Sequence, residues 1–83
     1  MGRAEVVDKL TIIFRRVFTN DSLILTNDLT ANDVDNWDSL SHMLLISEIE
    51  KSYSIKFKMK DLNKMHNVGD MIEIISSKLN DIN

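Results

Sequence analysis

The run Trp37-Asp38-Ser39-Leu40-Ser41-His42-Met43 marks where a long acidic loop ends and an amphipathic helix begins. Asp38 is placed to cap that helix, since its carboxylate can accept a backbone N–H two or three residues on. The apolar residues that follow are Leu40, Met43, Leu44, Leu45, Ile46, Ile49 and Tyr53. Together they are too broad for one narrow helical stripe. Leu45, Ile46, Ile49 and Tyr53 share a core-facing side, while Leu40, Met43 and Leu44 fall beside it, close to Ser39. Those three either complete the core or form an exposed apolar patch for a partner, a use to which an adaptable methionine is suited.

Upstream, Val6, Val7, Leu10, Ile13, Phe14, Val17 and Phe18 recur at i, i+3, i+4 and i+7. This predicts a helix from Ala4 to Thr19 with one face in a core and Ile12 off the stripe. Met1 to Arg3 are expected to fray. Arg15 and Arg16 suit the negative end of the helix dipole. Thr19-Asn20-Asp21-Ser22 carries turn chemistry. Between Asn20 and Asp38 there are five aspartates (21, 28, 33, 35 and 38) and no base. That acidic surface is either a solvated loop or an attractor for a basic partner enzyme. Leu23, Ile24, Leu25 and Leu29 are apolar islands within it, which predicts that the loop packs across the helices.

Downstream, Ser54-Ile55-Lys56-Phe57 reads as an extended connection anchored by Ile55 and Phe57. Lys51, Lys56, Lys58, Lys60 and Lys64 make this region basic, offset by Asp61. Lys58 to Met65 is expected to form a short helix with Leu62 and Met65 inward. Asn67 then caps a last helix whose stripe is Val68, Met71, Ile72, Ile75 and Leu79, with Asp70 near its positive end and Asn80 to Asn83 frayed. The expected fold is all-α: a small four-helix bundle, three longer helices plus a short third one, with a long loop between the first and second, and residues 1–83 forming one domain.

The totals narrow the function. The 83 residues include no cysteine, so disulfides and thiolate metal sites are excluded, and no proline and two glycines favour helices. Ten Lys and Arg against thirteen Asp and Glu give a net charge of −3, which argues against nucleic acid as a partner. No apolar run is long enough for stable membrane insertion, and no signal peptide is present, so a cytoplasmic protein is expected. Asp33, Asp35 and Asp38 do not make a calcium loop: its fifth, sixth and twelfth places hold Trp37, Asp38 and Leu44.

Ser39 stands just inside a helix N-terminus, where free backbone N–H groups and the macrodipole favour an anion. A phosphate esterified to its Oγ would be well placed there, although an Asp-Ser helix start is also sufficient as a cap. A catalytic serine needs more. His42 lies three positions on, but no oriented base, oxyanion hole or G-x-S-x-G elbow accompanies it. His42 is expected on the helix surface near a partner and His66 in a loop or at a helix end, and no catalytic or metal-ligating residue is expected.

Asp38-Ser39-Leu40 resembles the D-S-L prosthetic-group motif of the acyl carrier protein family and of the wider group of peptidyl and D-alanyl carriers. Glu48-Ile49-Glu50-Lys51-Ser52-Tyr53-Ser54-Ile55 resembles the family's acidic helix end followed by an aromatic, a turn and Ile. Asn67-Val68-Gly69-Asp70-Met71-Ile72 resembles its T-V-G-D-hydrophobic segment. The three motifs, in order over nearly the whole chain, are far more specific than D-S-L alone.

The resemblance implies that Ser39 carries 4′-phosphopantetheine, transferred from coenzyme A by a phosphopantetheinyl transferase, and that the arm's thiol holds an acyl group as a thioester. It implies docking of partners through Asp38, Leu40 and Met43, core positions at Leu45, Ile46 and Ile49 beside the space where some members shelter an acyl chain, and a monomer. The further partners it implies are an acyl- or aminoacyl-ligase and an acyltransferase or synthase. Ser41 and Leu44 stand where carriers of bulk fatty-acid synthesis usually have acids. Trp37, Ser41 and His42 look more like specialised discrete carriers of surface-polysaccharide or secondary-metabolite pathways. An aminoacyl or peptidyl carrier, or an unloaded helical adaptor, are the alternatives.

Overall fold

The computed structural model describes residues 2–80, which form four helices and, among the described residues, no strand: α1 (Arg3–Val17), α2 (Ser39–Tyr53), α3 (Met59–Leu62) and α4 (Val68–Asn80). The all-helical fold with a long α1–α2 loop is as the periodicities predict. The boundaries differ at their ends. Arg3 opens α1 rather than fraying, and its guanidinium pairs with Glu73 on α4 at 2.8 Å. Asn80 is the last residue of α4. The expected fraying of Met1 and of 81–83 lies outside the described residues. The third helix is one turn, four residues long, because Asn63 already leaves it.

One core holds the elements together. α1 packs against both α2 and α4. Val6, Leu10, Ile13 and Phe14 from α1 meet Leu45, Ile49 and Tyr53 from α2 and Val68, Met71, Ile72 and Ile75 from α4. Ile12 is exposed, as its place off the stripe requires. Polar contacts fix the register. The Tyr53 hydroxyl donates to the Val6 carbonyl at 2.6 Å, and burial pushes that hydroxyl up to about 12. Lys9 donates to the Ser52 carbonyl while lying 5.0 Å from the Tyr53 ring centroid. Arg16 pairs with Glu48 at 3.3 Å.

The acidic loop does pack across the bundle. Leu23, Leu25 and Leu29 lean on the core and Val34 is buried, while Ile24 is 71 % exposed. Arg15 Nε holds the loop's start through the Leu23 carbonyl at 2.9 Å. Its middle is stitched to the first turn of α4: Val68 N–H donates to Leu29 O at 2.9 Å and Gly69 N–H to Asn27 O at 2.8 Å. This contact explains the glycine. A Cβ on Gly69 would sit 2.9 Å from the Asn27 carbonyl oxygen, a backbone atom that cannot swing away. Gly→Ala inside an unhindered helix stabilises by about 1 kcal/mol. Here Gly69→Ala is expected to destabilise, by about 1 to 2 kcal/mol of overpacking, and urea denaturation gives the sign.

The chain then runs extended from Ser54 to α3. Ser54 takes the left-handed conformation that ends α2 (φ 57°), Ile55 is buried, and the Phe57 N–H donates to Glu50 Oε2 at 2.8 Å. α3 buries none of its residues and is tied down by Asp61, which bonds Lys78 of α4 at 2.8 Å and accepts the Lys58 N–H at 2.8 Å. The Lys78 ammonium beside Asp61 holds its carboxyl below the usual value. Asn67 caps α4 as expected, its Oδ1 accepting the Asp70 N–H at 2.8 Å, while Asp70 Oδ2 accepts from His66 N–H at 3.1 Å.

Candidate functional site at the start of α2

Asp38 is the N-cap of α2. Its Oδ1 accepts the Ser41 N–H at 2.9 Å, and its own N–H donates to Ser41 Oγ at 2.9 Å, a closed capping box. The Ser41 N–H holds the Asp38 carboxyl below its ordinary value. Ser41 Oγ donates in turn to the Asn36 carbonyl at 2.6 Å, across a loop residue with φ 70°. Ser41, expected only as a place without an acid, is therefore the second half of the cap. A serine three residues after an aspartate is a weaker capping-box signal than glutamate or glutamine, and the sequence alone did not reveal it.

The cap separates the two serines. Ser41 Oγ is spent on it, whereas Ser39 is exposed and, among the described residues, its hydroxyl has no partner. The electrostatic expectation at Ser39 needs correction. Of the first-turn donors, Ser41 N–H goes to the Asp38 carboxylate and His42 N–H to the Asp38 carbonyl at 2.9 Å. A phosphate on Ser39 therefore stands beside the Asp38 carboxylate, which already takes the Ser41 N–H of the first turn. The aligned dipole and the open surroundings remain in its favour.

The broad apolar set of α2 divides as its spacing suggested. Leu45, Ile46, Ile49 and Tyr53 are buried. Leu40, Met43 and Leu44 are 82, 58 and 52 % exposed, so these apolar residues form a patch next to Ser39 rather than completing the core. Beside Ser39 a cleft of about 550 Å³, which shares Met43 with the patch, opens between the start of α2 and the segment leading from α3 into α4. Its lining includes Trp37, His42, Met43, Met65 and Met71. Leu45, Ile46 and Ile49 lie in the core and do not line it.

Sequence reasoning gave Trp37 no structural place and put His42 on the helix surface. The Trp37 ring meets Phe14 edge-on with centroids 5.3 Å apart and lies 5.6 Å from Phe18. Its Nε1–H donates to His42 Nδ1 at 3.0 Å, with the two ring planes 19° apart and the centroids 6.0 Å apart. His42 is thereby half-buried, contrary to its expected surface position, whereas His66 is exposed. Burial pushes the His42 imidazole below its ordinary 6.5. Protonation would also fill the Nδ1 lone pair that Trp37 uses. The neutral form thus contributes stability above pH 6.5 that is lost as pH falls through the lower folded-state value. In an NMR titration the His42 ring protons are expected to shift with a midpoint below pH 6.5, with the Trp37 indole N–H moving at the same midpoint. Independent midpoints would show that the bond is not formed.

Among the described residues no cluster of three or more His, Asp or Glu could hold a metal, and no helix is long and apolar enough to cross a membrane. Fold and site define a small helical scaffold that displays one free serine hydroxyl beside an apolar patch and a cleft. No family model matches the chain. A solution NMR structure of the holo acyl carrier protein of Geobacter metallireducens is similar to it at 50 % sequence identity and a TM-score of 0.87, covering 92 % of this chain and 87 % of that one. The chain belongs to the acyl carrier protein family.

Proposed function

We propose that Ser39 is the attachment point of a 4′-phosphopantetheine arm, on which this acyl carrier protein holds an acyl group. The observation that carries the assignment is the division of labour between the two serines. The Ser41 hydroxyl is closed into the cap, and the Ser39 hydroxyl, two residues earlier in the same turn, is free and exposed. The related carrier was solved in its holo form. The residues fit the group: an unpartnered hydroxyl meets an incoming phosphate, and the cleft beside it has room and apolar walls for an extended chain. When bound, the arm supplies a thiol that forms a thioester, and this chain has no cysteine of its own.

The chain's own residues present the hydroxyl rather than activate it. Asp38 fixes the first turn of α2, so that Ser39 points from a rigid element instead of a loop. Leu40 and Met43 offer apolar surface to the enzymes that must reach it: a phosphopantetheinyl transferase, an acyl ligase, and an acyltransferase or synthase. The patch is small, which suits brief encounters of a monomer rather than a permanent interface. The protein acts as a non-catalytic carrier in the cytoplasm.

The test is incubation with coenzyme A and a broad-specificity transferase, followed by intact mass and peptide mapping. A gain of one phosphopantetheine located on Ser39 is expected, and an unchanged mass would overturn the reading. Leu40→Asp addresses the docking face. Leu40 is exposed, so the fold should persist, while kcat/KM for loading should fall about 10- to 100-fold, the loss of one anchoring contact. Unaltered kinetics would place docking elsewhere.

A further inference from the structure

The capping of α2 and the presentation of Ser39 leave the Trp37–His42 pair without a task. His42 follows Ser39 by three residues, so the two share one face of α2. Its Nδ1 accepts the Trp37 indole N–H at 3.0 Å. A neutral imidazole that accepts at Nδ1 carries its proton on Nε2. Trp37 cannot readily turn away, because Phe14 and Phe18 of the core hold its ring. The tautomer of a cleft-lining histidine is thus set from the core outward. Among the described residues Nε2 has no hydrogen-bond partner, and the cleft that His42 lines is otherwise walled largely by Trp37, Met43, Met65 and Met71.

We propose that His42 anchors the prosthetic arm, its Nε2–H donating to a carbonyl oxygen of the phosphopantetheine tethered at Ser39 and seating the arm along the cleft. This rests on attachment at Ser39. A carbonyl is the acceptor favoured over the phosphate. The other polar groups lining the cleft beside His42 are Asp38, Ser39, His66 and Asn67. Burial favours uncharged His42, and a neutral donor among methionines suits a neutral acceptor, whereas a phosphate would favour the imidazolium.

The experiment compares the ¹⁵N-labelled full chain before and after loading with unlabelled phosphopantetheine. In the unloaded chain, long-range imidazole spectra at neutral pH should show His42 as the Nε2–H tautomer. On loading, the Nε2 proton should shift, and its exchange with water should slow by about two- to tenfold, as one net hydrogen bond allows. Contacts between the arm and Met43 or Met65 should be present in the wild type, retained in His42→Gln, which keeps a side-chain N–H, and lost in His42→Phe. A different tautomer, an Nε2 proton identical in both states, or an arm as well seated in His42→Phe would overturn the anchor. The imidazole readout uses the unaltered chain and does not depend on how the variants fold. A chain that gains no mass overturns the anchor together with the attachment at Ser39, whereas full loading with a silent imidazole overturns the anchor alone.

Discussion

Ser39→Ala is expected to remain folded and to take up no phosphopantetheine at all, while Ser41→Ala loads but is less stable. The two serines are separated by one residue, and their fates differ because of hydrogen bonding. Ser39 is exposed, its side chain takes no part in the cap, and surface changes of this kind stay within about 0.5 kcal/mol. Ser41 gives its hydroxyl to the Asn36 carbonyl and receives the Asp38 N–H. Its loss opens the capping box, at about 0.5 to 2 kcal/mol for a capping interaction. Intact mass after incubation with coenzyme A and transferase reads the first effect, and chemical denaturation the second. Loading of Ser39→Ala, or loss of loading in a folded Ser41→Ala, would reverse the assignment.

Phe14→Ala carries the largest expected loss of stability. Phe14 is fully buried, touches Phe18 at 5.7 Å between centroids, and receives the Trp37 ring edge-on. Removing an aromatic ring from a packed core costs about 3 to 5 kcal/mol. A domain of this length has about 4 to 12 kcal/mol in all, at the usual stability per residue. The variant should therefore sit near its unfolding midpoint under mild conditions, and the single tryptophan should lose its fixed surroundings first. A loss under about 1.5 kcal/mol by urea denaturation would mean that the loop, not Phe14, holds Trp37.

What the sequence disclosed and what it hid divide along one physical line. The α1 stripe from Val6 to Phe18, the Asp38 and Asn67 caps, and the separation of α2 into a Leu45–Ile49 core side and a Leu40–Leu44 side, whose exposure the spacing left open, are local. Each follows from helical spacing or from chemistry within one turn, and each was legible. Ser39 was singled out by its place just inside a helix and by the D-S-L resemblance; its freedom from the cap was not. The burial of Val34, the exposure of Ile24 and the close approach of Gly69 to Asn27 depend on the path of a loop with no period. Trp37 meets Phe14 across more than twenty positions of sequence, and through it His42 acquires its partner. No pattern in one chain encodes such a contact in advance.

The shortness of α3 has a thermodynamic consequence. A four-residue turn with no buried side chain, fastened chiefly by Asp61 to Lys78, is a separate and shallow layer of the protein's stability. Its opening leaves Leu45, Ile49 and Ile75 undisturbed in the α1–α2–α4 core. The α3 turn is thus expected to open on its own, at a free energy below that of melting the whole molecule, while Met65 and Trp37 on the two flanks of the cleft both pack against the core.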